Sequence, residues 1–238
     1  MKLILKTLQS IDNLVTYIFS NSSKEDKFLK KFFGNKKIVL FDIGANLGGY
    51  LDLVKKNTKI KEAYIFEPSR KCYTYLNKKY NQKKFNFINK ALSDKKKKLK
   101  FYENEVLSQS SLYNKKNKFN SNLKILDTYK INCTTLDKFY YENNKKFTID
   151  LLKIDAEGED LKILQGGQKL LKKNKIKLIK IELLNSFDEK KNKSNINEII
   201  FLLDRLNYNI ITISKTKFVN EKLLMMDVYF CKKKSFKN

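Results

Sequence analysis

Histidine and tryptophan are both missing from this 238-residue chain. Without histidine there is no Ser–His–Asp triad, no Cys–His dyad and no imidazole metal ligand. Arginine occurs only at Arg70 and Arg205, so nearly all of the 51 basic residues are lysine. Lysine is a flexible point charge and lacks the rigid fork that reads bases or grips phosphate bidentately. Cys72, Cys133 and Cys231 lie far apart and match no zinc or redox spacing. Their odd number suits a reducing compartment and predicts a cytoplasmic protein. Pro68 is the lone proline, and glycines number seven. No stretch approaches the ~18 apolar residues of a membrane span.

What is present can fold. Hydrophobic residues make up 42% and aromatics 13%, enough for a sizeable core, which excludes general disorder. Acidic residues number 25, leaving a net charge of +26. The lysine runs Lys95–Lys98, Lys172–Lys177, Lys190–Lys193 and Lys232–Lys234 fall at loops or element ends, where solvated charge sits by default. A patch for an anionic partner is the alternative. Met1–Phe19 carries Ile4, Leu8, Ile11, Val15 and Ile18 at helical spacing. Asp12 and Asn13 interrupt it and no small-residue cleavage site follows, so it reads as an amphipathic helix docked on the domain, not a signal peptide. Weak membrane-surface contact is the alternative there.

A second short helix is expected at Lys27–Phe33. Strands at Ile38–Phe41, Ala63–Phe66, Phe85–Asn89, Ile149–Ile154 and Lys177–Leu183 alternate with helices near Leu47–Asn57, Ser69–Tyr80, Leu136–Tyr141, Glu159–Lys172 and Ile196–Leu206. That alternation predicts a parallel sheet covered on both faces. Asn209–Ser214 and Met226–Phe230 leave little room for a helix between them and are expected to pair antiparallel at one edge. Lys90–Lys130 is poor in apolar residues. It predicts hairpin-like strands, Leu99–Glu103 among them, and a mobile loop at Ser108–Phe119.

Six glycines fall in two groups, Gly44, Gly48 and Gly49, then Gly158, Gly166 and Gly167. The first group follows strand one in Phe41-Asp42-Ile43-Gly44-Ala45-Asn46-Leu47-Gly48-Gly49. Glycine there permits a tight turn and close approach of a ligand to the backbone, and the next helix offers free N–H groups. No Gly-Lys-Ser/Thr ends the turn, so it is not a P-loop, and Ala45-Asn46 breaks the dinucleotide pattern. Strand two ends in Phe66-Glu67-Pro68, with Glu67 23 residues after Gly44. A carboxylate at that distance sits beside the turn and can accept ribose hydroxyls. Pro68 then stops the strand and suits the first turn of the next helix. Turn and carboxylate together specify a nucleoside-bearing ligand, and S-adenosylmethionine fits better than NAD.

The sequence here resembles the FkbM-type S-adenosylmethionine-dependent methyltransferases, from about Val39 to Lys232. The matching segments are Asp42–Gly48, Phe66-Glu67-Pro68, Asn89–Asp94, Ser110-Ser111-Leu112, Thr135-Leu136-Asp137 and Leu152–Asp160, the last followed by Leu164-Gln165-Gly166-Gly167. The resemblance implies a three-layer Rossmann-like α/β fold. Its seven-stranded sheet would be mostly parallel with the last strand antiparallel near one edge, preceded by N-terminal helices over residues 1–36 and spanning 37–234. It also implies cofactor contacts at Asp42, Gly44, Ala45, Asn46, Gly48, Glu67, Pro68, Ala91 and Leu92, and O-methylation of glycans or small molecules.

Methyl transfer to an alcohol requires alignment of the oxygen and removal of its proton. Lys153, Asp155 and Glu157 end strand four and Glu182 ends strand five, at the carboxyl edge where ligands bind. These four are the catalytic candidates. Asp155, Glu157 and Glu182 could together hold a magnesium-like ion, though the reading adopted assigns no metal. Glu159 and Asp160 read as complements to a helix N-terminus. Base amino-methylation is disfavoured because no Asn/Asp-Pro-Pro turn exists, and cytosine-carbon methylation because no Pro-Cys pair does. Two alternatives survive: ribose O-methylation of RNA, for which Asp155, Lys180 and Glu182 supply part of a set, and a catalytically inactive nucleoside-binding module.

Overall fold

A computed structural model describes residues 24–105, 110, 112, 124–143, 146–184, 196–219 and 221–233. The expected Met1–Phe19 helix, nearly all of the Ser108–Phe119 loop and the lysine run Lys190–Lys193 lie outside the described residues. A helix, α1, covers residues 24–33. There follow β1 (Lys37–Ile43), α2 (Gly49–Asn57), β2 (Lys59–Phe66), α3 (Arg70–Lys79), β3 (Phe85–Ile88), β4 (Ala91–Leu92), β5 (Lys97–Asn104) and β6 (Ile125–Thr134). The second half runs α4 (Leu136–Glu142), β7 (Ile149–Ile154), α5 (Asp160–Gln165), α6 (Gln168–Lys172), β8 (Ile176–Leu184), α7 (Ile196–Arg205), β9 (Tyr208–Val219) and β10 (Lys222–Lys232).

Seven strands form one sheet in the order β3-β2-β1-β7-β8-β10-β9. All described pairs from β3 through β8 are parallel, and β10 enters antiparallel between β8 and β9. The expected Rossmann-like architecture, with its antiparallel last strand, is therefore present. Strand residues alternate between two faces. Val39, Phe41, Ile43, Leu152, Ile154, Ile179 and Ile181 pack with Leu136, Leu164, Leu171 and Leu203 of α4–α7. Ile38, Leu40, Leu151 and Leu178 pack with Leu29 of α1, Leu51 and Val54 of α2, and Leu76 of α3. Three layers result. Each such side chain, once buried, contributes roughly 1.5–3 kcal/mol, which is why these strands read as apolar runs.

One expectation changes, and the hairpin-like strands expected of the lysine-rich middle are present. The helix foreseen over Glu159–Lys172 is broken into α5 and α6 at Gly166-Gly167. A Cβ on Gly166 would lie 2.2 Å from the Ser93 carbonyl oxygen, so the chain passes too close to β4 for a side chain there. The lysine-rich middle forms a second sheet, β4-β6-β5, with β5 and β6 antiparallel. Its core is small: Ala91, Phe101, Ile131 and Cys133. No described helix is long and apolar enough to cross a membrane.

Candidate active site

The site grows out of the sheet register. On the face toward α1–α3, Leu40, Leu151, Leu178 and Cys231 stand side by side on four adjacent strands as an apolar row. Two residues closer to the carboxyl edge, the same register aligns Asp42, Lys153, Lys180 and Tyr229. Two residues further on come Asp155, Glu182 and Asp227, with Glu182 directly opposite Asp227. Apolar core thus gives way to a lysine-bearing row and then to a row of carboxylates.

Lys153 holds the first strand ends together. Its Nζ donates to the Gly44 carbonyl at 2.7 Å and pairs with Asp42 at 3.3 Å and Asp155 at 3.4 Å. Burial alone would pull this ammonium down, but Asp42 and Asp155 hold it above the ordinary lysine value, so it stays charged. Asp42 is fully buried, and neither of its oxygens has a hydrogen-bond partner among the described residues. Burial raises its carboxyl above the usual range against the pull of Lys153. Lys180 pairs with Asp227 at 2.9 Å and with Glu25 of α1 at 3.3 Å, and lies 4.7 Å from the centre of the Tyr50 ring. The Tyr229 hydroxyl donates to Glu25 at 2.5 Å and contacts the Tyr50 hydroxyl at 3.0 Å.

With both lysines committed, the Glu182 carboxyl has no hydrogen bond or ion pair among the described residues. Burial, then repulsion from Asp155, Asp227, Glu157 and Asp160, pushes it up to about 8. One carboxylate oxygen each from Asp155, Glu157 and Glu182 lies within 4.8 Å of the others. The four catalytic candidates are thus brought together. Crowded carboxylates alone do not define a metal centre, and no metal is assigned.

Beside this cluster, β1 turns into α2 through positive φ at Gly44 (75°), Asn46 (50°) and Gly48 (82°). A Cβ on Gly44 would sit 1.9 Å from the Asp155 carbonyl oxygen, so glycine alone lets the ends of β1 and β7 lie together. Glu67, 5% exposed, clamps the turn from the tip of β2. Its Oε2 accepts from the Asn46 N–H at 2.6 Å and its Oε1 from the Ser69 N–H at 2.8 Å. Burial raises this carboxyl to about 7 against those two donors. Each carboxylate oxygen keeps acceptor capacity for another donor. The Cys72 thiol donates to Asn46 Oδ1 at 3.3 Å, and burial pushes it up to about 11, far from a reactive thiolate.

Other expected contacts are placed less directly. Ala45 is buried in the core, and Tyr80 donates to the Gly48 carbonyl at 3.0 Å. Pro68 is half-buried and lies ahead of Ser69, which caps α3, so it precedes the helix instead of occupying its first turn. Ala91 and Leu92 spend their side chains on core packing. In the loop after β7, Glu157 has φ 56° and Gly158 φ 107°. Asp160 folds this loop by accepting from the Ala156 N–H at 3.0 Å and the Gly158 N–H at 3.1 Å. Burial raises its carboxyl to about 6. Glu159 accepts from the Ser93 hydroxyl and pairs with Lys162, both at 2.7 Å. These two acids are engaged structurally, as expected for residues at a helix start.

Glu25, Tyr50, Asp227 and Tyr229 were not foreseen as neighbours of the site. A signal existed: Lys180, Glu182 and Asp227 interrupt otherwise apolar strands. Glu103 and Tyr129 of the small sheet were missed as well. Glu103 accepts from the Tyr129 hydroxyl at 2.7 Å, and that hydroxyl accepts from the Arg70 N–H at 3.1 Å, tying β5 and β6 to the start of α3.

A parallel sheet with one antiparallel strand, a glycine turn after β1 and an acid at the tip of β2 define a Rossmann-like methyltransferase. Solved structures agree on the fold. A putative S-adenosylmethionine-dependent methyltransferase from Listeria monocytogenes is 10% identical with a TM-score of 0.51, covering 90% of this chain and 99% of that one. An rRNA methylase from Streptococcus thermophilus is 10% identical with a TM-score of 0.50, over 88% and 94%. Methyltransferase FkbM from Methylobacillus flagellatus is 13% identical with a TM-score of 0.50 over 82% of this chain, which spans 43% of that longer protein. No curated protein sequence matches the chain. The family model of the methyltransferase FkbM domain matches residues 42–210, and the chain belongs to that family.

Proposed function

We propose that this protein transfers the methyl group of S-adenosylmethionine to a hydroxyl oxygen on a glycan or small-molecule acceptor, in the cytoplasm. The observation that carries the reading is the juxtaposition at one strand end: the Gly44–Gly48 turn clamped by Glu67 on one side of β1, and Lys153 with Asp155 on the other. The residues suit the cofactor. Buried Asp42 has both oxygens without a hydrogen bond among the described residues, and Glu67 retains lone pairs beside an open backbone turn. When bound, the cofactor supplies a methyl carbon already activated by a sulfonium.

The chain's own groups do the rest. Glu67 receives the ribose hydroxyls, while the Gly44–Gly48 backbone with Asp42, Ala45 and Asn46 lines the cofactor's path. Pro68 and the backbone at Ala91 and Leu92 complete its border. Asp155 takes the proton leaving the acceptor oxygen, and Lys153, paired with it at 3.4 Å, holds its carboxylate in place. Glu157 and Glu182 orient the acceptor. RNA ribose methylation is less favoured, because a phosphodiester would meet Asp155, Glu157, Glu182 and Asp227 while Lys153 and Lys180 are already paired. The three free cysteines, all buried, suit a reducing compartment. A labelled-methyl transfer screen against glycans, small alcohols and RNA tests the proposal. Label on a hydroxyl of a glycan or small alcohol is expected; label confined to RNA, or cofactor binding with no transfer to any class, would overturn it.

A further inference from the structure

At the opposite, amino-terminal edge of the sheet lies a feature that methyl transfer does not use. A depression of about 550 Å³ is lined by Lys37, Lys55, Lys59, Lys61 and Lys84 with Thr58, Ile60 and Gln82. A second, of about 500 Å³, adds Lys30 and Lys56 and shares Lys55, Thr58 and Lys59 with the first. Lys37 and Lys59 are register partners at the starts of β1 and β2, so the topology itself sets two lysines on neighbouring strand starts.

General lysine richness does not account for this arrangement. The chain has 25 acidic residues for 51 basic ones, so seven lysines drawn from it would bring three or four carboxylates. Neither lining contains one. Asp26 and Asp52 reach Lys56 and Lys55 from outside the linings, whereas Lys30, Lys37, Lys59, Lys61 and Lys84 form no ion pair among the described residues. Two stems are held in place: the ammonium groups of Lys55 and Lys84 lie 5.9 and 5.3 Å from the centre of the Phe85 ring. Like charges gathered with two carboxylates for seven ammonium groups create a potential that a multiply charged anion relieves. No arginine lines the site, so recognition would be by charge and not by bidentate geometry. The volume matches a small ligand.

We propose that this lysine-lined depression binds a small anion bearing several linked phosphates. The site lies across the length of β1 from Glu67 and Asp155, so occupancy need not displace cofactor or acceptor.

Calorimetric titration with tripolyphosphate at low ionic strength tests it, using wild type, Lys37→Gln/Lys59→Gln/Lys84→Gln, and Lys172→Gln/Lys173→Gln/Lys175→Gln as a control with the same charge loss elsewhere. The substituted lysines are exposed except Lys175, which is half-buried, and circular dichroism would verify that each variant is folded. One tripolyphosphate per chain is expected. Affinity should fall about 10- to 100-fold in the first variant and by less than about twofold in the control. Equal losses in the two variants, several weak equivalents per chain, or no binding by wild type would overturn the proposal. So would an oligothymidylate that binds more tightly and is weakened equally by both variants, since that is the behaviour of net charge alone.

Discussion

At the carboxyl edge of the sheet, Lys153 and Lys180 are sunk among Asp42, Asp155, Glu182 and Asp227, and every ammonium has a carboxylate within 3.4 Å. At the amino edge, Lys37, Lys59, Lys61 and Lys84 stand in solvent with no carboxylate in the lining. A net charge of +26 describes the second edge and hides the first. Surface lysine costs little wherever it is placed, whereas a buried ion must be matched by its neighbours or it is strongly destabilising. Pairing and burial, not the charge total, therefore separate the candidate site from the rest of the surface.

The largest expected effect follows from that contrast. Asp155→Asn keeps shape and removes the charge next to Lys153. With the reading above, turnover at saturating cofactor and acceptor falls by roughly 10²–10⁴ while cofactor affinity stays within a few-fold. A single-turnover rate within threefold of wild type would remove Asp155 from the mechanism.

Next comes Gly44→Ala. Positive φ and a Cβ placed 1.9 Å from the Asp155 carbonyl oxygen should together cost about 3 kcal/mol or more, read as a lowered denaturation midpoint. Gly49→Ala, where a Cβ meets nothing within 4 Å, is the paired control and should be nearly silent. Equal effects of the two would show that the turn is looser than described.

A smaller effect concerns pH. In the folded chain Glu67, Asp160 and Glu182 hold their protons up to about 7, 6 and 8, whereas in the unfolded chain they release them near ordinary carboxylate values of about 4. Between roughly pH 4.5 and 8 the folded state thus binds more protons than the unfolded one, so stability falls as pH rises. Asp26, Asp52 and Asp94, which are shifted downward, act in the opposite sense only at more acidic pH. The melting temperature is expected to drop from pH 5 to pH 8, and Glu182→Gln to flatten the upper part of that slope. A melting temperature that rises across this range would contradict the buried-acid description.

How much of this could be read from the sequence depended on how local each feature is. β1, β2, β7 and β8 are largely buried and appear as short runs rich in apolar residues. The place of Glu67 beside the first turn was legible because strand and helix lengths fix its distance from Gly44, whereas its bonds to the Asn46 and Ser69 N–H groups were not. β5 and β6 were harder: Lys97–Asn104 and Ile125–Thr134 carry alternating lysine and polar residues, with little apolar signal per strand. The break between α5 and α6 depends on contact with Ser93, 73 residues earlier than Gly166, which no window on the helix contains. Glu25 meets Lys180 and Tyr229 across 155 and 204 positions, so that network is a product of register and docking, not of motif.

The central claim, that the carboxyl edge and not the lysine surface binds the nucleoside, is tested most directly by one titration. S-adenosylmethionine is added to wild type, to Glu67→Ala and to the amino-edge variant Lys37→Gln/Lys59→Gln/Lys84→Gln, each verified as folded. Charged hydrogen bonds of about 1.5–3 kcal/mol predict a 10- to 150-fold loss of affinity in Glu67→Ala and no change in the lysine variant. An unchanged dissociation constant in folded Glu67→Ala, or a loss confined to the lysine variant, would contradict the account.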